Sequence, residues 1–140
     1  MSNGRFVRMC GGKVSATVVA SDLSAMPDEA ALANGVLAQA DETDDSHSPS
    51  RSHPGCAVIP AALATGEELG IDGARFLRAV TLGYDIGTLV STAMGGTTFS
   101  NESHKSTHAI AGAFGAAAAA CSAGLDAQPM RWVRDYTPQQ

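Results

Sequence analysis

The sequence predicts an all-α fold, a multi-helix bundle-like domain with a short N-terminal strand, and three observations predict it. Several segments carry apolar residues at helical spacings between recognisable start and stop residues. Short Gly/Pro/Asp turns and one or two long polar loops join them. The third is bulk: 140 residues with 44% hydrophobic but only 5% aromatic content suit one modest domain, residues 1–140, and with alanine at 25 positions of the chain its core must be made of small side chains.

Residues 14–19 are rich in β-branched side chains, follow Gly11-Gly12 and read as a strand or extended arm whose partner is not visible. The first helix begins at Pro27, with Ser24 as its cap and Asp28 and Glu29 complementing the N-terminal dipole; Ala31, Leu32 and Leu37 follow, and the helix ends near Ala40. Residues 41–55, DETDDSHSPSRSHPG, contain no hydrophobic side chain and form a loop. A second helix spans 58–69 and is stopped by Gly70. Asp72 caps a third, reaching about Met94, in which Phe76, Leu77, Val80 and Tyr84 mark one face while Leu82, Ile86 and Leu89 occupy others. A helix apolar nearly all round is expected to be buried in something larger. The polar piece 97–108 leads into a fourth helix, 107–123, whose GAFGAAAAA run permits close helix contact. Gly124 closes it, and Asp126 with Pro129 starts a fifth that ends near Tyr136.

Charge and cysteine content narrow the function. Nine Lys+Arg against 14 Asp+Glu, without a basic cluster, exclude nucleic acid as the main partner. Neither a secretory signal nor a membrane-spanning run is present, so a soluble cytoplasmic protein is expected; the acid-free start before Asp22 leaves a transit peptide as the alternative. Cys10, Cys56 and Cys121 lack CxxC spacing and suggest neither a disulfide framework nor a cysteine zinc site. Gly12-Lys13 is not a phosphate loop, because Val7 and Val14 stand where Gly and Ser/Thr are needed.

Two segments carry candidate chemistry. In the 41–55 loop, Glu42, Asp44, Asp45, His47 and His53 can serve proton transfer, since a carboxylate and an imidazole beside one substrate carbon can take and return its proton. The same residues also suit a divalent metal, or the loop is a solvated linker. SHKSTH, residues 103–108, lies at a helix start where backbone N–H groups, Lys105 and a histidine form an anion site; the alternative is that Ser106 or Thr107 simply caps the helix. Cys56 near His53 is read as a packing residue.

In order along the chain, AALANGVLAQADETDDSH (30–47), SHPGCAVIPAALATGEELG (52–70), GYD (83–85) and GAFGAAAAACSAGLD (112–126) resemble the MmgE/PrpD family. The family includes 2-methylcitrate dehydratases and cis-aconitate decarboxylases acting on small polycarboxylates. The resemblance implies no metal and no organic cofactor. It extends from about Gly12 to Gln140, and implies an internal stretch of the family's large helical domain, with the smaller lid domain expected to be absent.

Position by position, the family's ALDFDDTH block falls on residues 40–47, which places Glu42 where the catalytic-site aspartate usually stands. The HPG histidine maps onto His53. The family's other active-site histidine falls on Ser106, with His104 and His108 two residues to either side. The resemblance therefore implies Glu42, His53 and His104 or His108 as catalytic residues. Asp45, Ser46, His47, Lys105 and Ser106 are the implied substrate-binding residues. The expected reaction moves a proton next to a carboxylate and expels water or carbon dioxide from a di- or tricarboxylic acid, in a cytoplasmic homodimer. The rival expectation is a truncated or degenerate domain that keeps helical packing and a dimer surface without catalysis.

Overall fold

The structure, a computed structural model, describes residues 14–124. The expected fifth helix and Cys10 lie outside the described residues. A two-stranded antiparallel hairpin, β1 (Ala16–Thr17) and β2 (Ser24–Ala25), leads into α1 (Pro27–Gln39), followed by a 3-10 turn at Ser48–Ser50. Then come α2 (Gly55–Leu69), α3 (Gly73–Ala93), α4 (Gly96–Glu102) and α5 (Thr107–Gly124). The fold is therefore helical with a small N-terminal sheet.

The extended arm does find a partner: Ala16 pairs with Ala25 and Thr17 with Ser24. That pairing removes Ser24 from the capping role expected of it. Met26 is the N-cap, with no side-chain hydrogen bond, and Pro27 sets the first turn. The buried Asn34 of α1 secures the hairpin, its Oδ1 accepting from Val19 N and its Nδ2 donating to Thr17 O, both at 2.9 Å. Ala16, Val18, Ala25, Ala30, Ala33 and Ala64 form the small core beneath it.

Helix α2 starts three residues before the expected Val58, because Asp45 Oδ1 accepts the Gly55 N–H at 2.9 Å and satisfies one of the helix's free N-terminal donors. Asp72 caps α3 as expected, its side chain accepting from Arg75 N at 2.7 Å. The buried stripe of α3, Ala79, Gly83, Gly87 and Ser91, recurs every fourth residue. It faces a matching stripe on α5, Thr107, Ala111, Gly115, Ala119 and Ala123. The absence of side chains at the crossing decides the separation: a Cβ on Gly87 would lie 2.5 Å from Ala111 O, and one on Gly83 would lie 2.9 Å from Gly115 O. Val58 of α2, fully buried, closes this seam with its methyl groups against Gly83 and Gly115.

The all-round apolar character of α3 is only partly buried, since Leu77 and Leu89 are each 64% exposed. The segment expected to be an irregular polar piece contains α4, which begins after Gly95 turns the chain at φ 113°. Among the described residues no helix is long and apolar enough to cross a membrane.

Candidate active site

The loop before α2 is anchored into the core. Ser91 Oγ of α3 donates to Ser50 O (3.1 Å), with Thr107 O at 3.3 Å, and Thr107 Oγ1 of α5 donates to Arg51 O at 2.7 Å. Ser50 and Ser52 are buried with their hydroxyls 2.7 Å apart. His47 and Ser52 bridge backbone to backbone, and Arg51 between them takes a left-handed conformation at φ 52°. A non-glycine residue held there is strained, and such strain persists only where its surroundings impose it. These contacts tie Ser50 and Arg51 to α3 and α5, while Ser48, Pro49, Arg51 and His53 stay exposed.

The latch directs the loop's side chains around a small polar pocket of about 220 Å³, bordered by Ser46, His47, Ser48, Arg51, Ser52, His53 and Ser100. His53 Nδ1 lies 2.7 Å from Asp45 O. A carbonyl can only accept, so Nδ1 carries the proton and Nε2 of the neutral ring keeps its lone pair. Asp44 Oδ1 is 3.6 Å from the same Nδ1, positioned to stabilise a positive charge on the ring. The Asp44 side chain is 7% exposed, and its Oδ2 has no hydrogen-bond partner among the described residues.

Behind this loop a larger pocket of about 480 Å³ is walled mainly by apolar groups, including Val19, Leu37, Ile59 and Leu63, with Asp44, Asp45, Cys56 and Tyr84 also at its surface. Burial pushes the Tyr84 phenol up to about 12, with its hydrogen bond to Asp45 and the Asp45 charge adding to the effect. Burial also raises the Cys56 thiol, with the Asp44 charge reinforcing it. Both groups are therefore protonated donors at neutral pH.

Of the residues implied by sequence, Asp45, Ser46, His47 and His53 come together on this loop. His47 also helps to fold it, its Nδ1 lying 2.7 Å from Ser50 Oγ. His108 touches the group from behind, accepting from His53 N at 3.1 Å. Glu42 is exposed, does not border the polar pocket and stands at φ 51° just after α1. His104 and Lys105 are also exposed and do not border it. Ser106 follows the capping alternative, its Oγ accepting from Ala109 N at 3.2 Å.

Sequence reasoning missed Arg51, Ser52 and Ser100 at the pocket, and the structural part played by Tyr84. The Ser/Arg run between the two histidines was the available signal for the first two. Cys56 is more than packing, because its Sγ lies 3.8 Å from His108 Nε2 and donates to His53 O at 3.2 Å. Among the described residues no group of three or more His, Cys, Asp or Glu side chains is placed to hold a metal ion.

Comparison with known proteins adds a lineage to this geometry. The family described as the MmgE/PrpD N-terminal domain matches residues 2–133. The cis-aconitate decarboxylase-like protein oryM of Aspergillus oryzae (strain ATCC 42149 / RIB 40) is 35% identical over 77 residues, covering 50% of this chain and 16% of that protein. The chain thus matches a small part of the length of that relative. No solved structure matches the chain.

Proposed function

Because the chain belongs to the MmgE/PrpD family, we propose that it serves a lyase of the 2-methylcitrate dehydratase or cis-aconitate decarboxylase type, acting on a small di- or tricarboxylate. The observation that carries this reading is the His53 tautomer: Nδ1 is committed to Asp45 O, so Nε2 is free to act as a base beside a pocket lined by Arg51 and hydroxyl groups. Arg51 and the serines bind carboxylate groups, for which a guanidinium fork and hydroxyl donors are well suited.

In the dehydration, Nε2 takes the proton from the carbon next to a carboxylate. The C–H electron pair becomes the new C=C bond, and the hydroxyl leaves as water on taking a proton from solvent. The imidazolium formed at His53 is stabilised by Asp44 across 3.6 Å. In the decarboxylation, the C–C bond to a carboxylate breaks instead, its electron pair stays on the carbon as carbon dioxide leaves, and that carbon takes a proton from the His53 imidazolium, which solvent then reprotonates. The reading requires no metal or organic cofactor, and it places the protein in the cytoplasm as a homodimer.

The test is to follow alkene absorbance in the ultraviolet with 2-methylcitrate, citrate and cis-aconitate as substrates. His53→Ala is expected to lower turnover by roughly 10²- to 10⁴-fold, the span of one general base. Turnover unchanged in that variant removes His53 from the chemistry.

The exposure of Leu77 and Leu89 favours a second reading, in which this domain is a packing and dimerisation module without catalysis of its own. Self-association without turnover in light scattering and the same assay would select it.

A further inference from the structure

His108 contacts His53 without bordering the polar pocket, and that separation defines its role. The N–H of His53 donates to His108 Nδ1 at 3.1 Å, so the proton of a neutral His108 ring sits on Nε2. That Nε2 faces Cys56 Sγ at 3.8 Å, and the Cys56 thiol donates to the carbonyl of His53 at 3.2 Å. The three contacts close a ring that begins at the N–H of His53 and returns to its C=O. These two groups lie on either side of one Cα, in planar peptide units with only φ and ψ between them, so holding both fixes the direction of the Cα–Cβ bond, and the 2.7 Å contact of Nδ1 with Asp45 O then sets the rotation of the ring about it. His108 and Cys56 border a separate groove of about 390 Å³, lined also by residues of α1 and α5, that His53 does not line.

We propose that His108 is a positioning residue, which with Cys56 clamps the backbone of His53 so that the His53 ring presents Nε2 to the bound carboxylic acid. The catalytic meaning of the clamp rests on the lyase reading above, whereas the clamp itself does not. Burial of Cys56, reinforced by Asp44, keeps the thiol protonated, and that one proton is shared between His53 O and the Asp44 carboxylate, which leaves His108 as the stronger half of the clamp.

Two measurements on the full chain test it. Nitrogen-15 spectra of the wild-type histidine rings are expected to show His108 as the Nε2–H tautomer and His53 as the Nδ1–H tautomer. An Nδ1–H tautomer at His108 overturns the clamp without any variant being made. Amide exchange at His53 is then compared in His108→Ala and His108→Asn, since the asparagine oxygen can take the place of Nδ1. The alanine variant is expected to exchange roughly tenfold faster at His53 and the asparagine variant to match wild type. Equal exchange in wild type and the alanine variant overturns the proposal.

In the lyase assay the alanine variant should lose kcat with little change in KM, keep the shape of the pH profile, and be rescued by asparagine. Should asparagine prove as inactive as alanine, with one limb of the pH profile gone, His108 is an acid or base and the positioning role is wrong. Absence of turnover in the wild type defeats the lyase reading alone, and the tautomer and exchange data still decide the clamp.

Discussion

The carbonyl oxygen of Asp45 accepts the Nδ1 proton of His53 at 2.7 Å, while the Asp45 carboxylate turns the other way and accepts the Gly55 N–H at 2.9 Å. One residue thus sets the imidazole tautomer with its backbone and starts α2 with its side chain. Asp45→Asn keeps an acceptor for Gly55 and leaves the backbone contact in place, so it should cost about 0.5–1 kcal/mol, the loss of a charge at a helix N-terminus. Asp45→Ala removes the cap and should cost about 1–2 kcal/mol. Denaturant unfolding of the two variants checks the order, and equal losses would mean that the carboxylate's charge, not its acceptor, holds the helix start.

Tyr84 provides a pH signature for the same junction. Its phenol is pushed up to about 12 from an ordinary value of 10.0, first by burial and then by Asp45. The folded protein therefore holds the phenol proton at pH values where the unfolded chain has lost it. The associated stability is complete below pH 10 and is lost as pH rises from 10 towards 12. The denaturation midpoint of the wild type should fall more steeply across that window than that of Tyr84→Phe. Parallel curves would show that Tyr84 ionises equally in both states.

The seam between α3 and α5 predicts unusual sensitivity at a glycine. Alanine normally improves a helix interior over glycine by about 1 kcal/mol. At Gly87 that gain is opposed by overlap of the new Cβ with the Ala111 carbonyl at 2.5 Å, a backbone atom that yields only if the helices separate. Gly87→Ala should therefore be net destabilising by about 1–3 kcal/mol, as overpacked cores are. At Gly73, where a Cβ meets nothing within 4 Å, the same change should be close to neutral or mildly stabilising. Thermal melts of the pair separate packing from propensity, and a stabilised Gly87→Ala would show that the helices are not in contact there.

These cases show what the sequence can convey. The caps and stops at Pro27, Gly70 and Asp72 are local chemistry and read directly, as does the small-residue run that lets α5 approach α3. The start of α2 was misplaced because its cap comes from Asp45, ten residues upstream, which no local window at Val58 contains. Ser24 looks like a cap in a local window, whereas the structure pairs it with Thr17, seven residues away across a turn. The loop histidines were visible as candidate acid–base groups, but which nitrogen is free at His53 depends on a carbonyl and has no side-chain signature. The proximity of Cys56 to His108 joins positions 52 residues apart, and only the α2–α5 packing brings them together.

Two hydroxyl groups from outside the loop keep Arg51 at the pocket. Its backbone is held in the left-handed region by the Thr107 hydroxyl on its carbonyl at 2.7 Å, and the preceding carbonyl, that of Ser50, is held by Ser91 at 3.1 Å. Loss of either hydroxyl leaves carbonyl groups without these partners in a buried setting, at a cost of about 1–3 kcal/mol for each variant, Ser91→Ala and Thr107→Val. The two hydroxyls act on consecutive residues, and Ser91 also contacts Thr107 O at 3.3 Å, so the losses should not add. Releasing one end of the latch lets Arg51 relax its strained backbone, and the second substitution then removes less. A double-mutant cycle by denaturant unfolding should give a coupling of about 0.5 kcal/mol or more. Limited proteolysis should cut both single variants faster within residues 41–54. Strict additivity with unchanged proteolysis would mean that the strain at Arg51 is held by the 3-10 turn itself, and that the pocket's cation is positioned without help from α3 and α5.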